Sequence, residues 1–228
     1  MNALLRLFFA VLMGALFITG IFYVVASILS SIAFNPESRA WKELLAKLRI
    51  RLNKRAQFPA TGVSGSLVPC NAETLSHLSL KPKIVKKAGW RDGTFEGMFT
   101  TIYQEPVLMY AGQRNGKMAA IVARTSDKEF VFRQKGKETE IWENGQPYAV
   151  FVNNTLLSTG KQSRMLAKLE MDSDLRQWPV LMGQSDAALL TNMARVVSPI
   201  PRAFTILRGL SPEEEQALLL LTVAQELG

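Results

Sequence analysis

The chain has 228 residues, 48% of them hydrophobic and 20% charged, with one Cys, one His and a formal net charge of +8. That composition excludes a disordered chain, a disulfide framework, and any metal centre that needs several Cys or His ligands. The positive charge is concentrated: Arg6 contributes one unit, residues 35–60 a net five, and residues 61–228 only a net two. A folded nucleic-acid reader carries its basic surface on the domain itself, so a near-neutral bulk argues against DNA or RNA as partner.

In chain order, the first element is the stretch 7–34, LFFAVLMGALFITGIFYVVASILSSIAF, which contains no charged side chain. As a helix it would run about 42 Å, longer than the roughly 30 Å hydrocarbon core, so residues 1–34 read as an N-terminal transmembrane anchor. A secretory signal peptide is the competing reading, with Arg6 as its basic region and Ser31-Ile32-Ala33 as a cleavage site. The apolar run is about twice as long as such a segment requires. Arg6 alone precedes it, while seven Lys and Arg follow between residues 35 and 60. The positive-inside rule therefore predicts a single-pass protein with its N-terminus outside and its C-terminal domain in the cytoplasm or an equivalent compartment. Ala10 with Gly14, and Ala26 with Ser30, have the four-residue spacing of small residues at which membrane helices approach closely.

Residues 35–56 follow as a basic amphipathic helix. Asn35, Pro36 and Glu37 form a start signal. Trp41, Leu44, Leu45, Leu48 and Leu52 make an apolar stripe at helical spacing, with Lys42, Lys47, Arg49, Arg51, Lys54 and Arg55 mainly off it. Directly after a membrane span, such a helix is placed to lie in the interface, stripe inward and cations over an anionic phospholipid membrane. The other reading packs it on its own domain, leaving the cations to enforce topology.

Residues 57–68 read as a linker, and 69–228 as a β-rich domain. Ten short strand candidates run from Thr94 to Met193, separated by turn chemistry that includes Asn115-Gly116 and Asn144-Gly145. Asn-Gly favours two-residue type I′ turns, in which both central residues take positive φ. Strands so closely spaced leave no room for crossover helices, so the sheet must be mostly antiparallel. Asn153-Asn154-Thr155 is a glycosylation sequon or simply a tight turn. Pro201–Leu210 has helical apolar spacing. Ser211-Pro212-Glu213-Glu214 is a capping box opening a second helix, 211–227, whose Ala217–Ala224 run is apolar on every face. Such a helix must be surrounded. The predicted architecture is mainly β with an N-terminal transmembrane helix, its meander or barrel of about ten to twelve short strands wrapped around the C-terminal helix.

The hairpin series from Met98 to Met193, with Glu143–Tyr148 as a tight hairpin, and the closing segment Pro201–Glu226 resemble the tubby C-terminal-like fold. Tubby proteins, phospholipid scramblases and LURP-one-related proteins share that fold. The resemblance is one of layout over residues 60–228. It implies lipid headgroups as a ligand class and transfers no binding residue. The chain departs from scramblases in placing its membrane segment first.

No catalytic constellation is visible. His77 and Cys70 are the lone members of any nucleophilic pair, Asp172 and Asp174 lack the further ligands of a calcium loop, and Glu213–Glu215 are accounted for by a helix start. No cofactor is implied. A second basic patch, Lys81, Lys83, Lys86, Lys87 and Arg91, extends a lipid footprint, docks an acidic partner, or blocks edge pairing of a strand. The sequence thus predicts a non-enzymatic, membrane-anchored binding module. The alternative is an accessory subunit of a larger membrane protein complex, packed on other membrane subunits.

Overall fold

A computed structural model of the chain describes residues 12–13, 16–17, 34–57, 66–86, 93–160, 163–196, 198 and 200–227. By internal contacts the chain divides into Met1–Leu44 and Leu45–Gly228.

Within the first unit, Leu12, Met13, Leu16 and Phe17 are helical and exposed, and Phe34 is buried with its ring 6.3 Å from that of Trp41. Among the described residues no helix is long and apolar enough to cross a membrane. Apart from these few positions, the segment 7–34 lies outside the described residues, Ala10, Gly14, Ala26 and Ser30 included. Helix α1, Arg39–Gln57, starts later than Asn35 suggests. Asn35 Oδ1 accepts from Glu37 N in a turn of its own, and the cap is Ser38, whose Oγ accepts from Trp41 N at 3.0 Å.

The second unit is a twelve-stranded antiparallel sheet in simple sequence order. Its strands are β1 Lys83–Lys86, β2 Thr94–Thr100, β3 Pro106–Asn115, β4 Met118–Arg124, β5 Glu129–Lys135 and β6 Glu138–Glu143. They continue as β7 Gln146–Val152, β8 Thr155–Ser158, β9 Met165–Leu169, β10 Gln177–Met182, β11 Ser185–Thr191 and β12 Phe204–Ile206. All ten strands expected from the turn pattern are present.

The sheet is not closed into a barrel: β1 and β12 do not pair. The segment after the short helix α2, Ala72–Ser76, spans part of the seam instead. Leu78 bridges Thr101, Ser79 bridges Arg202, and Leu80 N donates to Pro201 O.

The 201–210 helix is not formed. Its apolar residues pair as β12 with β11, and Ala203 and Phe204 enter the core. A short apolar run fits either period, and Phe-Thr-Ile favours the strand. The final helix forms as the capping box dictates: α3, Pro212–Leu227, with Glu214 N donating to Ser211 Oγ and Ser211 N to Glu214 Oε2.

Strand alternation divides the sheet residues into two faces. Phe99, Leu108, Tyr110, Ile121, Phe130, Phe132 and Ile141 share one core with α3, in which every residue from Ala217 to Ala224 is at most 3% exposed. Two glycines admit rings to this face: a Cβ on Gly97 would lie 2.3 Å from Tyr110 Oη, and one on Gly112 would lie 2.3 Å from the Phe95 ring.

The turns set the register. Asn144 and Gly145 both take positive φ between Glu143 and Gln146, as a type I′ turn requires. Asn115 instead pairs with Met118, so the central residues there are Gly116 and Lys117 and only Gly116 needs positive φ. The sheet fixes this choice, because a one-residue slip would turn Ile121 and Ala123 out of the core.

Candidate functional site

The candidate site begins with α1, whose stripe turns toward protein. Leu45, Leu48 and Leu52 are buried, Leu48 at 1% exposed. Leu52 and Arg51 line one crevice with Met98, Met109 and Ala111 on the outward face of β2 and β3. Ala120, Val122 and Val131, which alternation also directs away from the core, are buried. Covering Leu48 and Leu52 contributes about 1.5–3 kcal/mol each. Leu45, Leu48 and Leu52, read from the sequence as a stripe facing a bilayer, are thus buried in the chain itself, with Leu52 set against the outward face of β2 and β3. The sequence held a signal for this. Met118–Ala123, MAAIVA, is apolar at every position, the pattern of a strand covered on both faces.

Ion pairs fasten the helix. Arg49 donates to Glu129 at 2.8 Å, Arg124 reaches the other Glu129 oxygen at 2.9 Å and also Asn53 at 2.8 Å, and Arg51 lies 3.5 Å from Glu96. Burial acts to raise the Glu129 pKa, but hydrogen bonds from Arg124 and Arg49 outweigh it and hold the carboxyl below its ordinary value. Arg49 and Arg51 are thus committed to the domain, although each stays partly exposed.

Lys42, Lys47 and Lys54 are exposed. Between the last two, at helical spacing, stands Ile50, 54% exposed and off the apolar stripe. Trp41 is buried and Leu44 half-buried, and the Arg55 side chain lies outside the described residues. Of the second basic patch, Lys81 is exposed and Lys83 and Lys86 stand in the edge strand β1; Lys87 and Arg91 lie outside the described residues.

The remaining candidates resolve into structural roles. Cys70 is partly buried, and burial, followed by the carboxylates of Glu215 and Asp127, pushes its thiol up to about 12, so it carries no thiolate near neutral pH. His77 Nδ1 lies 3.0 Å from Glu73 O, and its ring is 5.3 Å from that of Tyr103. Asp172 accepts from Asp174 N, and Asp174 pairs with Arg195. Asn153 and Asn154 form the β7–β8 turn, both at positive φ. Among the described residues no three His, Cys, Asp or Glu side chains converge as metal ligands.

The near-neutral charge of the domain conceals a separation between the two ends of the sheet. At the end where α3 begins, acids are tied up: Lys128 pairs with Glu143, Arg164 with Glu213, and Arg208 with Glu214 at 2.6 Å. At the opposite end, where α3 finishes, the β3–β4 and β5–β6 tips carry Lys117, Lys135 and Lys137, all exposed. No family model matches this chain, and it matches neither a curated protein nor a solved structure.

Proposed function

We propose that this protein is a non-enzymatic, membrane-anchored binding module. In this reading segment 7–34 spans the bilayer once, the domain lies on the cytoplasmic side, and the outward face of α1 rests on anionic headgroups. The observation that carries the reading is the exposed triplet Lys47, Ile50 and Lys54, on a helix that follows 28 uncharged residues. With its leucines taken by the sheet, the helix meets lipid through cations and one apolar side chain, each cation contributing about 1 kcal/mol near an anionic surface.

The test uses the full chain in nanodiscs of phosphatidylcholine with or without phosphatidylserine, carrying a fluorophore at Ile50→Cys and depth-quenching lipids. Quenching rises with phosphatidylserine and falls in about 1 M salt, where the screening length is roughly 3 Å. Quenching indifferent to both would remove the electrostatic contact. Release of the full chain from membranes by alkaline carbonate would remove the anchor.

The accessory-subunit reading draws on a separate observation. Leu12, Met13, Leu16 and Phe17 are 43–71% exposed. Apolar helical side chains so exposed call for cover by lipid or by another helix. A single species of monomer mass after mild-detergent purification from native membrane would count against a stable partner.

A further inference from the structure

We propose that the β3–β4 and β5–β6 hairpin tips, with the groove beside them, form a docking site for an extended acidic segment of a partner protein. In a meander, alternate turns fall at the same end of the sheet, and here two of them are tied together: Gly136 N donates to Lys117 O at 2.9 Å. Around that bond stand Lys117, Lys135 and Lys137, exposed and without a side-chain hydrogen bond or ion pair among the described residues. They contrast with the paired cations at the other end of the sheet, where Lys128, Arg164 and Arg208 each hold a carboxylate.

Beside the tips opens a groove of about 570 Å³, with Lys137 on its lining together with Gln134, Asn153, Asn154 and Gln225, and with the mostly buried ring of Phe151. Side-chain amides both donate and accept, which matches the alternating N–H and C=O groups of an extended backbone. An ammonium cluster at the rim selects carboxylates, and the ring offers a place for an apolar side chain. The site thus fits a segment with acidic residues near the tips and an apolar residue entering the groove.

A flat anionic bilayer suits the same surface less well. Exposed Glu138 projects from the β5–β6 tip beside the lysines, and Lys137 lines a concavity that a chain can enter and a headgroup plane cannot. This docking site is separate from the α1 contact and stands whether or not that contact exists.

The experiment measures fluorescence anisotropy of a fluorescein-labelled peptide of alternating Glu and Gly with a single Leu. The full chain is held in phosphatidylcholine nanodiscs at about 0.15 M salt, where charges beyond roughly 8 Å are screened. The expected result is saturable binding, weakened roughly tenfold or more by Lys117→Glu/Lys135→Glu/Lys137→Glu, since three exposed pairs are lost. A second variant, Gln134→Ala/Gln225→Ala, leaves the charge unchanged and weakens binding roughly threefold or more if the groove holds the backbone. Absence of binding to the parent chain overturns the proposal, as does full binding by the charge-reversed variant. Full binding by the amide variant, with the peptide displaced by phosphatidylserine vesicles, also overturns it and assigns the patch to the membrane.

Discussion

Helices α1 and α3 both carry more apolar surface than water tolerates, and they are covered in opposite ways. In α3 the eight residues Ala217–Ala224 are buried on every side, inside the face of the sheet that holds the large aromatics. In α1 beyond Leu44, among the described residues, only Leu45, Leu48 and Leu52 are buried, on the other face, while Lys47, Ile50 and Lys54 remain in solvent. An all-round apolar helix leaves one solution, enclosure by its own chain, whereas a stripe is satisfied equally by a bilayer or by a sheet. The first helix is thus ambiguous by itself, and the sheet decides it.

If enclosure is what distinguishes α3, a cavity there should be felt by the whole domain. Leu220→Ala is expected to cost about 4 kcal/mol, within the range of fully buried leucines that cannot collapse, and to lower the chemical denaturation midpoint of all twelve strands together. The same truncation on the outer face should behave differently. Leu48→Ala is expected to cost about 2 kcal/mol, and native-state hydrogen exchange should show that loss in the amides of α1 while protection of β4 and β5 persists. Uniform loss of protection across both faces would show that α1 is integral to the core and would end the comparison.

That difference also explains what the sequence disclosed. The strands of the meander were legible because two-residue turns with Asn and Gly mark them in the chain, as at Asn144-Gly145. The capping box and apolar run of α3 were legible because both are local. The partner of Leu48 was not, because a stripe records only that something apolar faces it. The apolar-on-both-faces β4 recorded the answer, yet it is about 70 residues away and speaks only when read against α1. The segment around Phe204 failed for lack of length: a three-residue strand has too few positions to show a period. The lysine tips were hidden by averaging, since a net charge says nothing of which ends of a sheet the charges occupy.

Each helix is also held by a carboxylate of lowered pKa. Hydrogen bonds from Arg208 and from the Ser211 backbone bring the Glu214 carboxyl, at the start of α3, from 4.5 to about 2. Glu129, on the sheet, is lowered by Arg124 and Arg49 against the effect of burial. A folded-state pKa below the unfolded one means that folding favours the charged form. The stabilisation is therefore complete above the unfolded value and is lost as pH falls toward the folded one, between about 4.5 and 2 for Glu214. Glu214→Gln is expected to cost about 1 kcal/mol at neutral pH and to flatten the acid limb of the stability profile in that window. Glu129→Gln should instead loosen α1 selectively, by less than about 1 kcal/mol because the arginines are partly solvated. An acid limb unchanged in Glu214→Gln would place the acid sensitivity elsewhere.

The smallest expected effect is the most discriminating for α1. Ile50→Ser replaces a side chain that is already 54% exposed, so thermal unfolding of the purified chain should move by less than about 0.5 kcal/mol. Lys47→Glu/Lys54→Glu should be similarly quiet, since neither lysine sits in an ion pair among the described residues. Stability and lipid contact are thereby separated on one helix: Leu48 reports packing on the sheet, and Ile50 reports what the opposite side meets. A large loss of stability from Ile50→Ser in lipid-free protein would mean that the outward face is covered by protein after all. The contrast between a helix enclosed by its sheet and a helix shared between sheet and solvent would then fail at its last element.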